Sequence, residues 1–217
     1  MRHALRAAVL GSAVLLLSPA PAWAHAGISR ISPAAGTLLP SAPPLVSITF
    51  SEPVSLDAAS ILDSTGSPIP IATRMAGSTL TIVPQVKPSN GPIAVTWTVT
   101  SDDGHQVGGS TGYVIGKPAR TGSPRRLTTS PQIPVQLSGT RAGLLTVALA
   151  RSAASGSVTW SHSSLAGPMT WPITSAGRQS RASGVLPLGG VWHMTATLIG
   201  KDGSILIITG DAPVESA

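Results

Sequence analysis

The sequence predicts an all-β protein made of two small domains. Three observations support this prediction. Val, Ile, Thr, Ser, Gly and Pro are abundant, whereas the helix formers Glu, Lys and Gln are scarce. Short apolar or alternating runs recur between turn signals, a pattern typical of antiparallel sandwiches and barrels. A stretch rich in proline, glycine and arginine then separates two such series of runs.

Residues 1–24 have the pattern of a secretory signal peptide. Arg2, His3 and Arg6 supply a positive start, an apolar run follows from residue 7 to 17, and Ala22-Trp23-Ala24 gives a small-x-small cleavage site. The apolar run is too short for a stable membrane span, although a retained anchor is the alternative. We expect cleavage after Ala24 and a soluble mature chain that begins at His25 in the periplasm or another extracytoplasmic compartment.

Composition excludes several classes of function. The chain has no cysteine, which rules out disulfides, thiolate metal sites and a lipidated cysteine at the cleavage site. The mature chain is basic, but its charges are scattered. Only Arg120 with Arg125-Arg126 forms a cluster, and it lacks the interleaved aromatic side chains of nucleic-acid grooves. We therefore expect no nucleic-acid partner.

Residues 25–117 read as a first β domain. One run, Ile93–Val99, alternates so that Ile93, Val95, Trp97 and Val99 share one face, which predicts a half-buried strand with a core tryptophan. Turn signals at 66–68, 87–92 and 103–104 separate the predicted strands of this domain. The other predicted strands are Leu45–Phe50, Ser60–Leu62, Thr79–Val83 and Thr111–Ile115.

A second β domain is expected at 134–217, after a linker at 118–133 that shows no apolar periodicity. Lys201-Asp202-Gly203 predicts a hairpin near its end. Trp160, Trp171 and Trp192 are expected in the core or between the domains. The predicted strands are Val135–Leu137, Leu144–Leu149, Ser157–Trp160, Met169–Ile173, Val191–Leu198 and Ser204–Ile208.

The candidate metal ligands are His25, Asp103 and His105. An amino-terminal histidine can bind a metal through both its α-amine and its imidazole. Adding His105 gives three nitrogens, and Asp103 adds a carboxylate oxygen, a donor set that suits tetragonal Cu(II). Asp103 and His105 stand two residues apart, so in an extended segment both side chains leave the same face, while Asp102 points the other way.

Plain structural roles remain open for each of these residues. His25 can be the first residue of a disordered terminus, Asp103-Gly104 can be only a tight turn, and His105 can be a surface histidine beside it. Short motifs of this kind carry false positives.

Several segments, in order, resemble the CopC family of periplasmic copper-binding proteins. The most specific are the amino-terminal His25 and the Ser-x-Asp-Gly-His element that ends at His105. The resemblance covers about His25 to Gly116, nearly half of the mature chain. The matching segments are His25-Ala26, residues 32–36, Pro43, residues 46–54, residues 95–105, Gly109-Ser110 and Tyr113-Val114.

The resemblance implies a Greek-key β-barrel or immunoglobulin-like sandwich for the first domain. It also implies one Cu(II) ion held by the amine and imidazole of His25, Asp103 and His105, for copper carriage, buffering or resistance, with a membrane transporter of the CopD type as the possible acceptor. Some members have a Met-rich Cu(I) site. Because Met75, Met169 and Met194 are far apart in this sequence, we expect no such site here.

The second domain is less informative and is expected to be a small β-sandwich. His193-Met194 and His162 with Met169 are conceivable soft copper pairs. However, His193 and Met194 are adjacent in a predicted strand, so their side chains should face opposite ways, and structural histidines are the simpler interpretation.

Two other functions stay open. A histidine-brace copper enzyme would oxidise its substrate, but Asp103 would fill an equatorial position that oxygen chemistry needs. A metal-free immunoglobulin-like module would not need His25 or His105. We expect the protein not to be an enzyme.

Overall fold

The structure of the protein is a computed structural model that describes residues 27–118 and 120–217. Every helix or strand assigned in these residues is a β-strand, so the all-β prediction is confirmed. The predicted signal peptide and His25 lie outside the described residues. Within them, no helix is long and apolar enough to cross a membrane.

The first half of the described chain, residues 27–117, is a two-sheet sandwich. One sheet has the strand order β1-β3-β7-β6 and the other β2-β9-β8-β4-β5. The strands are β1 (Ile28–Ser32), β2 (Leu38–Leu39), β3 (Val46–Phe50), β4 (Val54–Leu62), β5 (Pro68–Ile69), β6 (Ile71–Ala76), β7 (Thr79–Pro84), β8 (Gly91–Ser101) and β9 (Gln106–Ile115).

The second half, residues 118–217, is also built from two sheets. Their strand orders are β10-β12-β13-β17-β16 and β11-β19-β18-β14-β15. The strands are β10 (Arg125–Leu127), β11 (Thr129–Ser130), β12 (Val135–Leu137), β13 (Gly143–Leu149), β14 (Ser155–Ser161), β15 (Met169–Pro172), β16 (Thr174–Ala176), β17 (Gln179–Leu186), β18 (Gly190–Ile199) and β19 (Ile205–Val214).

Part of the expected linker is strand. β10 pairs with β12 and β11 pairs with β19, so residues 125–130 extend both sheets of the second half. The domain boundaries stay a prediction, and these pairings favour a linker that ends before residue 125.

Each half has its own apolar core. The four residues predicted on one face of β8, namely Ile93, Val95, Trp97 and Val99, all lie in the core of the first half. The core of the second half holds the three tryptophans expected there, Trp160, Trp171 and Trp192.

The interpretation of β8 as a half-buried strand is wrong for its first part, because the second half covers the other face at Ala94 and Thr96, whereas Thr98 and Thr100 stay partly exposed. Leu62 and Ala94 of the first half belong to the core of the second half. Thr96 is buried, and its hydroxyl accepts a hydrogen bond from the backbone N–H of Ala166 at 2.8 Å. Gly108 on β9 permits this packing, since a Cβ there would lie 2.2 Å from the carbonyl oxygen of Ala166. β8 and β9, which lead into the candidate turn, therefore pack against the core of the first half on one side and, over part of their length, against the second half on the other.

Candidate metal centre

Asp103 and His105 lie in the tight turn that joins β8 to β9. The N–H of Gly104 donates to the carbonyl oxygen of Ser101 at 2.9 Å, and the N–H of Ser101 donates to that of His105 at 3.0 Å. Gly104 has a φ of 82°, which favours glycine. This is the pattern of a type I turn followed by a left-handed residue. The turn signal at 103–104 corresponds to this turn, and the turn, not an extended segment, brings the two side chains together.

The carboxylate of Asp103 is fixed by three contacts within the turn. Its Oδ1 accepts from the Ser101 hydroxyl at 2.5 Å and from the backbone N–H of His105 at 3.1 Å. Its Oδ2 lies 2.9 Å from Nδ1 of the His105 imidazole. Ser101 is buried, whereas 64% of the His105 side chain is exposed. The buried Ser101 therefore holds the Asp103 carboxylate in a fixed orientation, while the His105 imidazole stays accessible to solvent.

These contacts lower the pKa of Asp103 to about 2. The largest cause is the hydrogen bond from the Ser101 hydroxyl, followed by the backbone N–H of His105 and then its side chain. Each of these donors stabilises the ionised form. Asp103 is therefore a carboxylate at every physiological pH, which is the form that binds metal ions.

The start of the described chain lies at the same end of the first half as this turn. The N–H of Gly27 donates to the hydroxyl of Ser51 at 2.9 Å, and the N–H of Ser51 donates to the carbonyl oxygen of Gly27 at 2.7 Å. Val54 begins β4 and pairs with Ser101. The loop at 51–53 thus links Gly27 to the base of the turn. His25, the third predicted ligand, lies outside the described residues.

Glu52, which the sequence analysis did not single out, lies in the loop at 51–53. Its Oε1 is buried and has no hydrogen-bond partner among the described residues. The antiparallel register that pairs Val54 with Ser101, continued by two residues, would set Glu52 opposite Asp103. A signal was present, because Glu52 is one of only eight acidic residues and stands in a segment that carries the family resemblance. An unpaired buried carboxylate oxygen is costly and calls for a cation or donor.

The described residues alone do not complete a metal site. Within 27–118 and 120–217, no group of three or more His, Asp or Glu side chains is arranged to hold a metal ion. Asp103 and His105 supply two donors, so a tight site at this turn requires ligands from residues before Gly27, from the Glu52 loop, or from both.

A second histidine–aspartate pair lies on β18 and β19. Nδ1 of His193 is 2.7 Å from Oδ1 of Asp211, directly across the strands, and both side chains are exposed. Met194 is buried in the core while His193 faces solvent, which confirms that these neighbours point in opposite directions. They do not form a soft copper pair.

His162 is held as a structural residue. Its Nδ1 accepts from the N–H of Ser164 at 3.2 Å, its Nε2 lies 3.2 Å from the carbonyl oxygen of Gly189, and its ring packs on Trp192 at 4.8 Å between centroids. Burial is the largest cause that lowers its pKa. Met169 and Met194 are core residues, and Met75 packs against the core of the first half.

Comparison with known proteins identifies the first half. The sequence profile of the CopC domain matches residues 28–116, so this part of the chain is a CopC domain. Two solved structures are similar to it. CopC from Methylosinus trichosporium OB3b is 28% identical, with a TM-score of 0.39, over 42% of this chain and 93% of that one. PcoC, a methionine-rich copper resistance protein from Escherichia coli, is 20% identical, with a TM-score of 0.38, over 42% and 99%. No curated protein sequence matches.

Proposed function

We propose that this chain, whose residues 28–116 are a CopC domain, is an exported copper carrier that holds one Cu(II) ion at the β8–β9 turn. The proposed ligands are the α-amine and imidazole of His25, the carboxylate of Asp103 and the imidazole of His105. One observation carries the proposal: the Asp103–His105 pair and Gly27, two residues after His25, lie at the same end of one sandwich.

The tether between Gly27 and His25 is short enough for a shared site. Gly27 is fixed to Ser51 by two hydrogen bonds. Two residues of extended chain span about 7 Å. Cleavage after Ala24 would place the new α-amine within that radius of Gly27, whereas in a longer chain the His25 nitrogen would be a peptide amide instead of an amine. Signal-peptide cleavage is thus an assembly step of the proposed site.

The donor set fits Cu(II). Three nitrogens and one carboxylate oxygen suit a tetragonal centre, and Cu(II) heads the affinity order of the divalent first-row metals. Asp103 needs no deprotonation, since its pKa is about 2. The unpaired Oε1 of Glu52 supports a further, weaker oxygen contact from the neighbouring loop. The three methionines of residues 25–217 pack in or against the cores, which favours Cu(II) over a thioether-bound Cu(I) site.

Carriage follows from the proposed ligands. The amine and imidazoles must lose their protons to bind copper, so acidification or a competing set of ligands releases the ion. If His25, Asp103 and His105 supplied all four donors, few strong ligand positions would remain for oxygen, which favours carriage over oxidative catalysis. A membrane copper transporter of the CopD type is the proposed acceptor.

The decisive experiment compares two forms of the protein in a Cu(II) titration followed by electron paramagnetic resonance. One form begins at His25, and the other carries one extra methionine before it. We expect one tight equivalent and a nitrogen-rich tetragonal spectrum for the first form only, because the extension removes the α-amine from the chelate ring.

Two outcomes would overturn the proposal. Weak binding that does not depend on the amino terminus would favour the metal-free structural module. Peroxide formation with ascorbate, together with an exchangeable equatorial water, would favour the oxidative enzyme.

A further inference from the structure

The two halves of the chain carry different charge. Residues 27–117 contain four arginines and lysines against five acidic residues, whereas residues 118–217 contain eight against three. Between Asp103 and Asp202 the sequence has no acidic residue at all. The positive charge of the protein is therefore a property of its second half, not a scatter along the whole chain.

Much of this charge lies on one sheet. Arg126, Gln136, Ala148 and Arg181 are paired in register across β10, β12, β13 and β17. They form an outward row, since the next row at the end of the sheet (Leu127, Val135, Leu149 and Ser180) is buried. Arg126 and Arg181 are exposed and lie three strand spacings apart, about 14 Å.

Two more arginines extend this row beyond the end of the sheet. Arg151 follows β13, and Arg178 lies in the turn between β16 and β17; both are exposed. We call Arg126, Arg151, Arg178 and Arg181 the basic face. Gln136 and Gln179 lie among them, and the sheet itself contributes no carboxylate.

None of the four arginines is neutralised within the described chain. No ion pair there involves any of them. The three acidic residues of this half are engaged elsewhere: Asp202 binds Ser204 in the β18–β19 turn, Asp211 pairs with His193, and Glu215 pairs with Arg141. Asp211 shares a groove with Arg126 but is held by His193.

The first half leaves the basic face open. It packs on the other end of the same sheet surface, where Val185 and Pro187 lie against Gly112 of β9. Arg181 precedes Val185 by four residues on β17, about 13 Å along the strand. The basic face and the contact with the CopC domain therefore occupy opposite ends of one sheet surface.

We propose that the basic face docks the protein on the anionic headgroups of a lipid bilayer. Basic side chains near an anionic membrane surface each contribute to binding, and the attraction falls off over a Debye length. The face offers no aromatic or large apolar side chain. Surfaces that bind proteins usually have such anchors at their hot spots, and surfaces that bind single-stranded nucleic acids have aromatic side chains on which bases stack. Lipid headgroups need only charge.

The test measures sedimentation of the protein beginning at His25 with vesicles of phosphatidylglycerol and phosphatidylcholine, against vesicles of phosphatidylcholine alone. The variant is Arg126→Gln with Arg181→Gln. Its control, Arg74→Gln with Lys87→Gln, removes the same charge from exposed positions of the first half. Circular dichroism confirms folding, and a Cu(II) titration of both variants keeps this result separate from the copper proposal.

We expect binding only to the anionic vesicles, weakening with added salt. The double arginine variant should lose about thirtyfold in partition coefficient, about fivefold per arginine, and the control much less. Equal losses in the two variants would show that net charge rather than this face drives binding. Binding to phosphatidylcholine alone, or tighter binding to soluble polyglutamate than to the anionic vesicles, would overturn the proposal, the latter in favour of an acidic polypeptide partner.

Discussion

Each half of the molecule presents one histidine–aspartate pair, and the two pairs are alike in distance but not in surroundings. His105 and Asp103 lie 2.9 Å apart, and His193 and Asp211 lie 2.7 Å apart. Asp103 also accepts from buried Ser101 and stands at the end of a sandwich where Gly27 and the Glu52 loop converge. The His193 pair sits in mid-strand on an open sheet face. The difference teaches that a pair of donors becomes a candidate metal site only where the topology can bring further donors to it.

The largest expected effect comes from replacing the histidine of each pair by alanine. His105→Ala should lower Cu(II) affinity by at least about 100-fold, because it removes a proposed direct ligand, whose loss should cost at least as much as that of an outer-shell partner. His193→Ala should leave affinity unchanged. Isothermal titration with a competing chelator measures both. Equal effects of the two variants would contradict the assignment of the site to the first half.

Replacing the carboxylates should give a smaller contrast. Asp103→Asn keeps the shape of the side chain but removes the charge, and we expect a loss of about 10- to 100-fold in Cu(II) affinity. Asp211→Asn is the matched control and should bind copper as the unaltered protein does. The electron paramagnetic resonance spectrum should change only in the first variant. An unchanged spectrum there would mean that Asp103 is not a ligand.

Ser101 acts on the proposed site through Asp103. Ser101→Ala removes the strongest of the contacts that lower the pKa of Asp103, so that pKa should rise from about 2 towards 3.8. Cu(II) affinity should fall by about tenfold. Carbon-detected NMR titration of the carboxyl group reports the pKa, and a copper titration reports the affinity. Ser101→Thr, which keeps the hydroxyl, should restore both; failure to do so would point to packing instead.

The smallest expected effect is on acid stability without copper. The pKa of Asp103 is lower in the folded protein than its usual 3.8. Ionised Asp103 therefore stabilises the fold above about pH 4, and this contribution is lost as the pH falls towards 2. Asp103→Asn should lack that segment of the pH dependence. Urea unfolding at a series of pH values measures it, and identical curves for the two proteins would show that the turn contributes nothing.

The difference between predicted and observed strands has a physical cause. Core strands such as β8, β12 and β18 were predicted because their apolar residues have a strand period. β6 was missed because Arg74 weakens its pattern, and β17 because its inward positions hold the small residues Ser180, Ala182 and Gly184 in place of large apolar side chains. An exposed face places few constraints on its residues, so a strand at the surface leaves a weak pattern.

The sequence by itself determined the all-β class, the core face of β8, the CopC domain and the candidate residues Asp103 and His105, since strand period and short turn motifs are local properties of the chain. Only the tertiary structure decided that buried Ser101 orients Asp103, that Glu52 carries an unpaired oxygen beside β4, and that the second half covers β8 while its arginines stay open. These features join residues far apart in sequence. Hydrogen bonding, burial and charge at such places depend on which strands become neighbours, and no local pattern encodes that.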